Sequence, residues 1–158
     1  MSTPTLNIYD DILLKWHEFL TGDARIGGRD IRVIYTRTEP EELDINLMPY
    51  VAYFLERNWN DNAIGSGSYS PQSRRVYIKI GFLLAMMGKD APTLDKMLFE
   101  VGGNLLDILR ERQLFDTVKQ IIVKGDINWD FDTIAAANGQ QIGTQQISFT
   151  MEQFANFA

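Results

Sequence analysis

The sequence predicts an α+β fold, with a mostly antiparallel sheet and two helices packed on one of its faces. Residues 75–87 alternate apolar and polar side chains, which is the period of a half-buried strand. Residues 94–109 place apolar side chains at spacings of three and four, the pattern of a helix packed on a core. Two later runs, 127–132 and 147–152, have one apolar and one polar face, as in an antiparallel sheet with one side in water.

The first third of the chain predicts one helix and two strands. Residues 7–20 carry an amphipathic pattern and predict a helix capped by Thr5 or Asn7. Residues 31–37 are rich in β-branched side chains and predict a strand. Residues 49–56, PYVAYFLE, predict a second strand, with a buried helix as the alternative.

A long polar segment, residues 57–74, precedes the central strand. It is rich in glycine, serine, asparagine and proline, which do not build a core. A loop of this length inside a compact domain is unusual unless it is functional or disordered. We therefore expect a hairpin arm or a mobile loop. Its aromatic residues Trp59 and Tyr69 are of the kind that anchor interfaces, although local packing is an equally good interpretation.

The turn between the central strand and the second helix is specified by its residues. Gly88 suits a turn, Asp90 accepts hydrogen bonds from first-turn amides, and Pro92 fits a first helical turn, where its missing N–H is not needed. Within the helix, Gly102 and Gly103 each cost about 1 kcal/mol relative to alanine. They indicate either close approach of the helix to the sheet or contact with a neighbouring subunit.

The last part of the chain predicts two or three further strands. The candidates are 118–124, 127–132 and 147–152, with a glycine-containing loop around residues 138–139 before the last.

Length and composition predict one globular domain spanning 1–158. The chain has 158 residues, of which 45% are hydrophobic and 23% charged.

Without cysteine there is no disulfide, zinc-thiolate site or thiol nucleophile. The net charge of −6 argues against a surface that grips nucleic-acid phosphate broadly. We recognise neither a signal peptide nor a membrane span, so we expect synthesis in the cytoplasm and no membrane partner.

The residue types predict no catalytic, cofactor or metal site. His17 is the single histidine, and a lone helical histidine is usually a surface residue. The acidic residues around Pro40 could hold magnesium or act as an acid and base, but their spacing matches no ligand loop, and such clusters are usually solvated. These residues are Glu39, Glu41, Glu42 and Asp44. We therefore expect a protein that is not an enzyme.

The element order resembles that of the tail terminator proteins of long-tailed bacteriophages. The resemblance covers residues 7–154. It rests on an N-terminal amphipathic helix, a strand within NLMPYVAYFLE, a polar arm, the long strand RRVYIKIGFLLAM, the helix APTLDKMLFEVGGNLLDILRER and a C-terminal pair of alternating strands.

This resemblance implies a structural virion protein with an α+β fold. Such proteins form a hexameric ring on the finished tail tube, stop its polymerisation and present a surface to the head or neck. The implied partners are other copies of the chain, the tail tube protein and a head-completion or neck protein. Genome DNA passes through the ring without specific binding. The implied location is the phage tail of the virion, assembled in the host cytoplasm.

Two surfaces are predicted from the ring hypothesis. Ring closure needs a patch that docks on a different patch of the next subunit. We expect the polar arm and the helix glycines to contribute, so the candidate interface residues are Arg57, Trp59, Tyr69, Arg74, Gly102 and Gly103. An acidic lumen would repel DNA phosphate, and its candidate lining residues are Glu39, Glu41, Glu42 and Asp44.

Three other functions fit parts of the sequence. A head-completion or neck protein, or a tail-tube subunit, would belong to the same structural class. A small metal-dependent enzyme would use the acidic cluster. A peptide-binding module would use an open sheet edge.

Overall fold

The computed structural model describes residues 7–40, 42–56, 60–63, 73–135 and 140–156. A π-helical turn leads into the first α-helix, and a second, longer helix separates four strands from two. In chain order the elements are the π-helical turn Tyr9–Leu13, α1 Leu14–Gly22, β1 Arg32–Tyr35, β2 Tyr50–Leu55, β3 Asn60–Ala63, β4 Ser73–Gly88, α2 Ala91–Glu111, β5 Ile121–Ala135 and β6 Gln141–Asn156. The predicted α+β class is confirmed.

The six strands in the described part of the chain form one sheet with β4 at its centre. The order is β1-β2-β4-β6-β5, and β3 also pairs with β4. Only β1 and β2 are parallel, whereas the other described pairs are antiparallel. Because β2 pairs with residues 80–85 of β4 and β3 pairs with residues 74–77, these two short strands follow one another along the same side of β4.

Both helices pack on the same face of the sheet, as predicted. The largest side chain at the centre of this core is Trp16, which is fully buried. Its ring centroid lies 5.4 Å from that of Phe82 in β4 and 5.5 Å from that of Phe149 in β6. Its indole N–H donates to the sulfur of Met151, at 3.1 Å. Other large side chains that are fully buried in this core include Phe82, Phe149, Ile12, Leu20, Ile26, Ile78, Ile80, Leu84, Leu94 and Leu105.

A smaller apolar cluster lies on the opposite face of β2 and β4. Its buried members are Tyr50, Ala52, Phe54, Leu83 and Ala85. Leu43, Leu47 and Met48, from the connection between β1 and β2, pack against it. The acidic connection is thereby held on the sheet face opposite α1 and α2.

The N-terminal helical segment, which opens with the π-helical turn, and α2 begin with the caps expected from the sequence. Asn7 accepts a hydrogen bond from the backbone N–H of Asp10 at 3.0 Å, and its own N–H donates to Asp11 at 2.7 Å. Asp90 accepts from the N–H of Thr93 at 2.9 Å, with proline in the first turn of α2. These contacts satisfy amides that lack a partner within the helix.

The polar segment 57–74 includes one more strand than we predicted. Residues 60–63 form β3 and pair antiparallel with β4, which favours the hairpin-arm interpretation over the mobile loop. Three strands were expected before the second helix, and the described residues contain four. β4 and β6 continue alongside β3 beyond the first residue of β5, so that residues 62–63, 73–75 and 154–156 form a three-stranded extension.

Two of the predicted C-terminal strands are one strand. The runs 118–124 and 127–132 were expected as separate strands, but β5 is continuous from Ile121 to Ala135. The pairing of β5 with β6 shifts in register between Val123 and Ile127. This irregularity coincides with the gap between the two predicted runs. Residues 118–120 lie in a turn before the strand, because backbone hydrogen bonds join Asp116 and Ile121.

Candidate functional site

The predicted interface residues of the arm lie largely outside the described residues. Arg57, Trp59 and Tyr69 are not among them. Arg74 lies in β4 within the three-stranded extension, where its Cα partners are Ala63 on one side and Ala155 on the other. The structure therefore places one of the four arm residues.

The two helix glycines have different surroundings. A Cβ atom on Gly102 would lie 1.9 Å from Oε1 of Gln145 in β6, so Gly102 allows α2 to approach the sheet. A Cβ atom on Gly103 would meet no atom within 4 Å. Close approach explains Gly102, whereas Gly103 remains a candidate for contact with another subunit.

The acidic connection is solvent-exposed where it is described. Glu39, Glu42 and Asp44 are exposed, and Glu41 lies outside the described residues. Asp44 accepts a hydrogen bond from the N–H of Asn46 at 3.0 Å and caps a short 3-10 helix. In the described part of the chain, no three His, Cys, Asp or Glu side chains are placed to hold a metal ion.

A groove on the sheet face opposite α1 and α2 borders this connection. It has a volume of about 740 Å³ and is open to solvent. The hydroxyl of Ser148 in β6 donates a hydrogen bond to the carboxylate of Glu56, which follows β2. The lining residues are Thr38, Glu39, Pro40, Phe54, Leu55, Glu56, Gln146 and Ser148. Sequence reasoning missed Glu56 and Ser148, because their proximity depends on the pairing of β2, β4 and β6.

His17 has a structural partner. Its Nδ1 lies 3.0 Å from the hydroxyl of Tyr53, and the ring is half-buried on α1. Burial raises the pKa of Tyr53 to about 12, and the neighbouring Tyr9 and Tyr35 act in the same direction. Tyr9 and Tyr35 meet edge to face with ring centroids 5.6 Å apart. His17 therefore belongs to an aromatic cluster next to the edge strand β1.

The turn that joins α2 to β5 presents two exposed apolar side chains. In this 112–120 turn, Leu114 is 73% exposed and Val118 is 78% exposed, the highest values among the large apolar side chains of the described residues. Asp116 fixes the turn by accepting hydrogen bonds from the backbone N–H groups of Val118 and Lys119, each at 3.0 Å.

Two ion pairs tie the 112–120 turn to the N-terminal helix. Lys15 lies 3.3 Å from Asp116, and Lys119 lies 2.8 Å from Asp11. Burial tends to raise the pKa of Asp11, but hydrogen bonds from Lys119 and from the N–H of Asn7 outweigh it and hold the pKa below its usual value. For Asp116, burial is likewise outweighed by hydrogen bonds, chiefly from the N–H of Lys119 and from the Lys15 side chain.

A second apolar feature lies near the start of α2. A small groove with a volume of about 150 Å³ is lined by Met48, Pro49, Met86, Met87 and Met97, and we call it the methionine groove. Its walls come from the end of β4, the second turn of α2 and the entry to β2. Sequence reasoning did not predict this groove, because its methionines come from three separate segments.

The chain matches no protein-family model, and a search of curated proteins finds no match. Within the described residues, no helix combines the length and the apolar character needed to cross a membrane.

Proposed function

We propose that the protein is a structural virion component, a phage tail terminator that caps the tail tube as a hexameric ring. In this role it stops tube polymerisation and provides the surface that joins the tail to the head. The proposal rests on the resemblance of residues 7–154 to this family. The observation that carries it in the structure is the three-stranded extension at one end of the sheet.

The extension supports a role in assembly because of its position. β4 and β6 contribute Ile78 and Met151 to the main core, and both strands run on beyond these residues. Ile121 of β5, which pairs with Gln153, also belongs to this core, so β4 and β6 extend beyond it by three residues, or about 10 Å. An extension at one end of an otherwise compact body offers a patch that can dock on a different patch of the next copy, as a closed ring requires. Arg74 lies within it.

The charge distribution supports passage of DNA without binding. The net charge is −6, and Glu39, Glu42 and Asp44 are exposed on the sheet face opposite α1 and α2. In a ring whose lumen is lined by this face, the carboxylates would repel phosphate at distances below the Debye length of about 8–10 Å. The partners in this proposal are the tail tube protein and a head-completion or neck protein.

A head-completion or neck protein and a tail-tube subunit remain the alternatives within the structural class. Both would also need an exposed extension and an acidic surface. They differ from a terminator in their effect on tubes, because a tube subunit adds to the length and a terminator ends it. A metal-dependent enzyme would differ from all three, because it would have a catalytic activity that depends on the acidic residues.

The experiment is electron microscopy of the protein mixed with tubes assembled from the tail tube protein of the same phage. We expect tubes of fixed length with an additional ring at one end. Deletion of residues 60–70 is expected to abolish the ring, whereas Glu42→Gln, which removes one exposed charge, should leave it intact. Tubes of unchanged length without an additional ring would contradict the proposal, and normal rings from the deletion variant would contradict the role of the arm.

A further inference from the structure

Gly81 of β4 shapes the groove that borders the acidic connection. Phe54 and Ser148 are the partners of Gly81 on either side of β4, so all three lie on the sheet face opposite α1 and α2. A Cβ atom on Gly81 would lie 2.5 Å from the Phe54 ring, so this ring occupies the space above the glycine. The carboxylate of Glu56 reaches across β4 to accept a hydrogen bond from Ser148. We call this cavity the Glu56 groove.

The polar lining of the Glu56 groove is rich in hydrogen-bond acceptors. Ionised carboxylates accept hydrogen bonds and donate none, and the groove contains those of Glu39 and Glu56. The hydroxyl hydrogen of Ser148 is already donated to Glu56, whereas Thr38 and Gln146 can both donate and accept. The described lining contains no lysine, arginine or histidine. A ligand that matches this lining therefore brings several N–H donors and a positive charge.

The Glu56 carboxylate lacks an ionic partner among the described residues. It is half-buried, and no described lysine or arginine lies within ion-pair distance of it. The backbone carbonyl of Lys79 accepts a hydrogen bond from the N–H of Glu56, but the Lys79 side chain is exposed. Water screens the attraction of a half-buried carboxylate for a cation less than it does at an exposed one. Glu56 is therefore the strongest anchor for a cation in this groove.

We propose that the Glu56 groove binds a guanidinium group on an alkyl stem, the chemistry of an arginine side chain. A guanidinium has several N–H donors and no acceptor, which matches the acceptor-rich lining. It is weakly hydrated, and its flat face packs on apolar groups such as those of Phe54 and Pro40 in the groove. The volume of about 740 Å³ also leaves room for the stem.

The residues of the groove have different roles in this site. Ser148 is a positioning residue, because it holds Oε1 of Glu56 and leaves Oε2 for the ligand. Glu39 is exposed and supplies a second carboxylate at the rim. A divalent metal ion fits less well, since it needs about six oxygen ligands and no three acidic side chains of the described residues are placed to share one.

The experiment is a titration with n-butylguanidinium, followed by ¹H–¹⁵N NMR at constant ionic strength. We expect saturable shifts of the backbone amides of Glu56, Gln146 and Ser148, and none in the 112–120 turn. The Kd should be on the order of 1 mM, because the ligand is small. Shifts that grow without saturation, or that are centred outside the groove, would overturn the proposal.

The substitution Glu56→Gln tests the anchor. It keeps the size of the side chain and an acceptor for Ser148 but removes the charge, so binding should weaken about tenfold or more. Glu42→Gln is the matched control, because Glu42 is exposed and does not line the groove, and it should bind as the parent does. Equal binding by Glu56→Gln and the parent would contradict the assignment. The same spectra show whether each variant is folded.

A second variant tests the positioning role of Ser148 independently of Glu56→Gln. The parent should bind n-butylguanidinium several-fold more tightly than n-butylammonium, since the fixed carboxylate suits a planar fork. Ser148→Ala should lose this preference, and Ser148→Thr, which restores the hydroxyl, should recover it. A parent that binds both cations equally, or a preference that persists in Ser148→Ala, would overturn the geometry proposed here.

Two sources could supply the guanidinium, and a peptide distinguishes them. Tighter binding of acetyl-Gly-Arg-Gly-amide than of n-butylguanidinium would identify an arginine of a partner chain, whereas equal or weaker binding would identify a free guanidino compound. The inference does not rest on the proposed function. Saturable binding by a protein that does not cap tubes would reject the terminator role alone. Tube capping by a parent protein that binds no guanidinium would reject the groove site alone.

Discussion

Gly102 of α2 lies directly over the side-chain amide of Gln145 in β6. A Cβ atom at position 102 would be 1.9 Å from Oε1 of Gln145, which is completely buried and has little room to move. We expect Gly102→Ala to lower the free energy of unfolding by about 1–3 kcal/mol, the usual cost of displacing a buried polar group from its contacts. Urea denaturation followed by tryptophan fluorescence measures this.

Gly103→Ala is the matched control, because a Cβ atom there would meet nothing within 4 Å. Replacing a glycine in a helix interior with alanine should raise stability by about 0.5–1 kcal/mol. Equal destabilisation by both substitutions would show that the helix does not approach the sheet at Gly102. If Gly103 contacts another copy, the Gly103→Ala variant should remain stably folded but should no longer form rings on tubes.

Acid should weaken the anchoring of the 112–120 turn. The pKa values of Asp11 and Asp116 are lowered in the folded protein, because hydrogen bonds from lysine and backbone groups outweigh the effect of burial. A lowered folded-state pKa means that the charged carboxylates stabilise the fold, so their contribution is complete above the unfolded-state pKa of about 3.9 and is lost as pH falls below it. We expect the melting temperature to drop as the pH falls below about 4.

The substitution Asp116→Asn tests the origin of this acid effect. It should lower stability at neutral pH, where the ion pair with Lys15 is complete, and flatten the decline at low pH. Asp130→Asn, at an exposed position of β5, is the control and should follow the parent protein. A decline of the same steepness in Asp116→Asn and the parent would contradict the assignment.

High pH should destabilise the fold through ionisation of Tyr53. Its pKa is raised to about 12 by burial and by the nearby Tyr9 and Tyr35, whereas an unfolded tyrosine ionises near 10. A raised folded-state pKa means that stability is complete below pH 10 and falls as pH rises towards 12. Tyr53→Phe should remove this part of the decline, at a cost of about 1 kcal/mol for the lost hydrogen bond to His17. Absorbance titration at high pH should then lack the last phenolate.

Gly81 and Phe54 are cross-strand neighbours that we expect to be coupled. They are direct partners of β4 and β2, and a Cβ atom on Gly81 would lie 2.5 Å from the Phe54 ring. Gly81→Ala should therefore cost about 1–3 kcal/mol through overpacking. In a Phe54→Leu background the same substitution should cost less, because the smaller side chain leaves space. A double-mutant cycle measures the coupling, and strictly additive effects would contradict it.

β4 and α2 could be predicted from the sequence, because their patterns depend on residues that are close together in the chain. Strand β4 has an alternating pattern, and α2 has a stripe of period 3.6 with a capping aspartate at Asp90. Strand β3 was expected only under the hairpin-arm interpretation of residues 57–74, since its sequence, NDNA, has little preference for a strand. It pairs because β4 is longer than β2 and leaves a free edge beside residues 74–77.

The 112–120 turn was harder to predict, because its structure depends on contacts between distant residues. The ion pairs that fix the 112–120 turn join residues separated by 101 and 108 positions. The sequence pattern placed Val118 in a strand on account of its neighbouring isoleucines. Gln120, which adopts a positive φ of 57°, ends the turn and starts β5 one residue later.

The pairing of β4 with β6 also has a consequence for folding on the ribosome. All 16 residues of β4 pair with β6, which the chain reaches only after α2 and β5 have been synthesised. Until β6 emerges, the apolar strand β4 has one edge without its partner, and such edges promote aggregation. The sheet should therefore form slowly and only after β6 has been synthesised, since contacts between distant segments slow folding. Removing the last strand would leave the nascent chain in need of a chaperone.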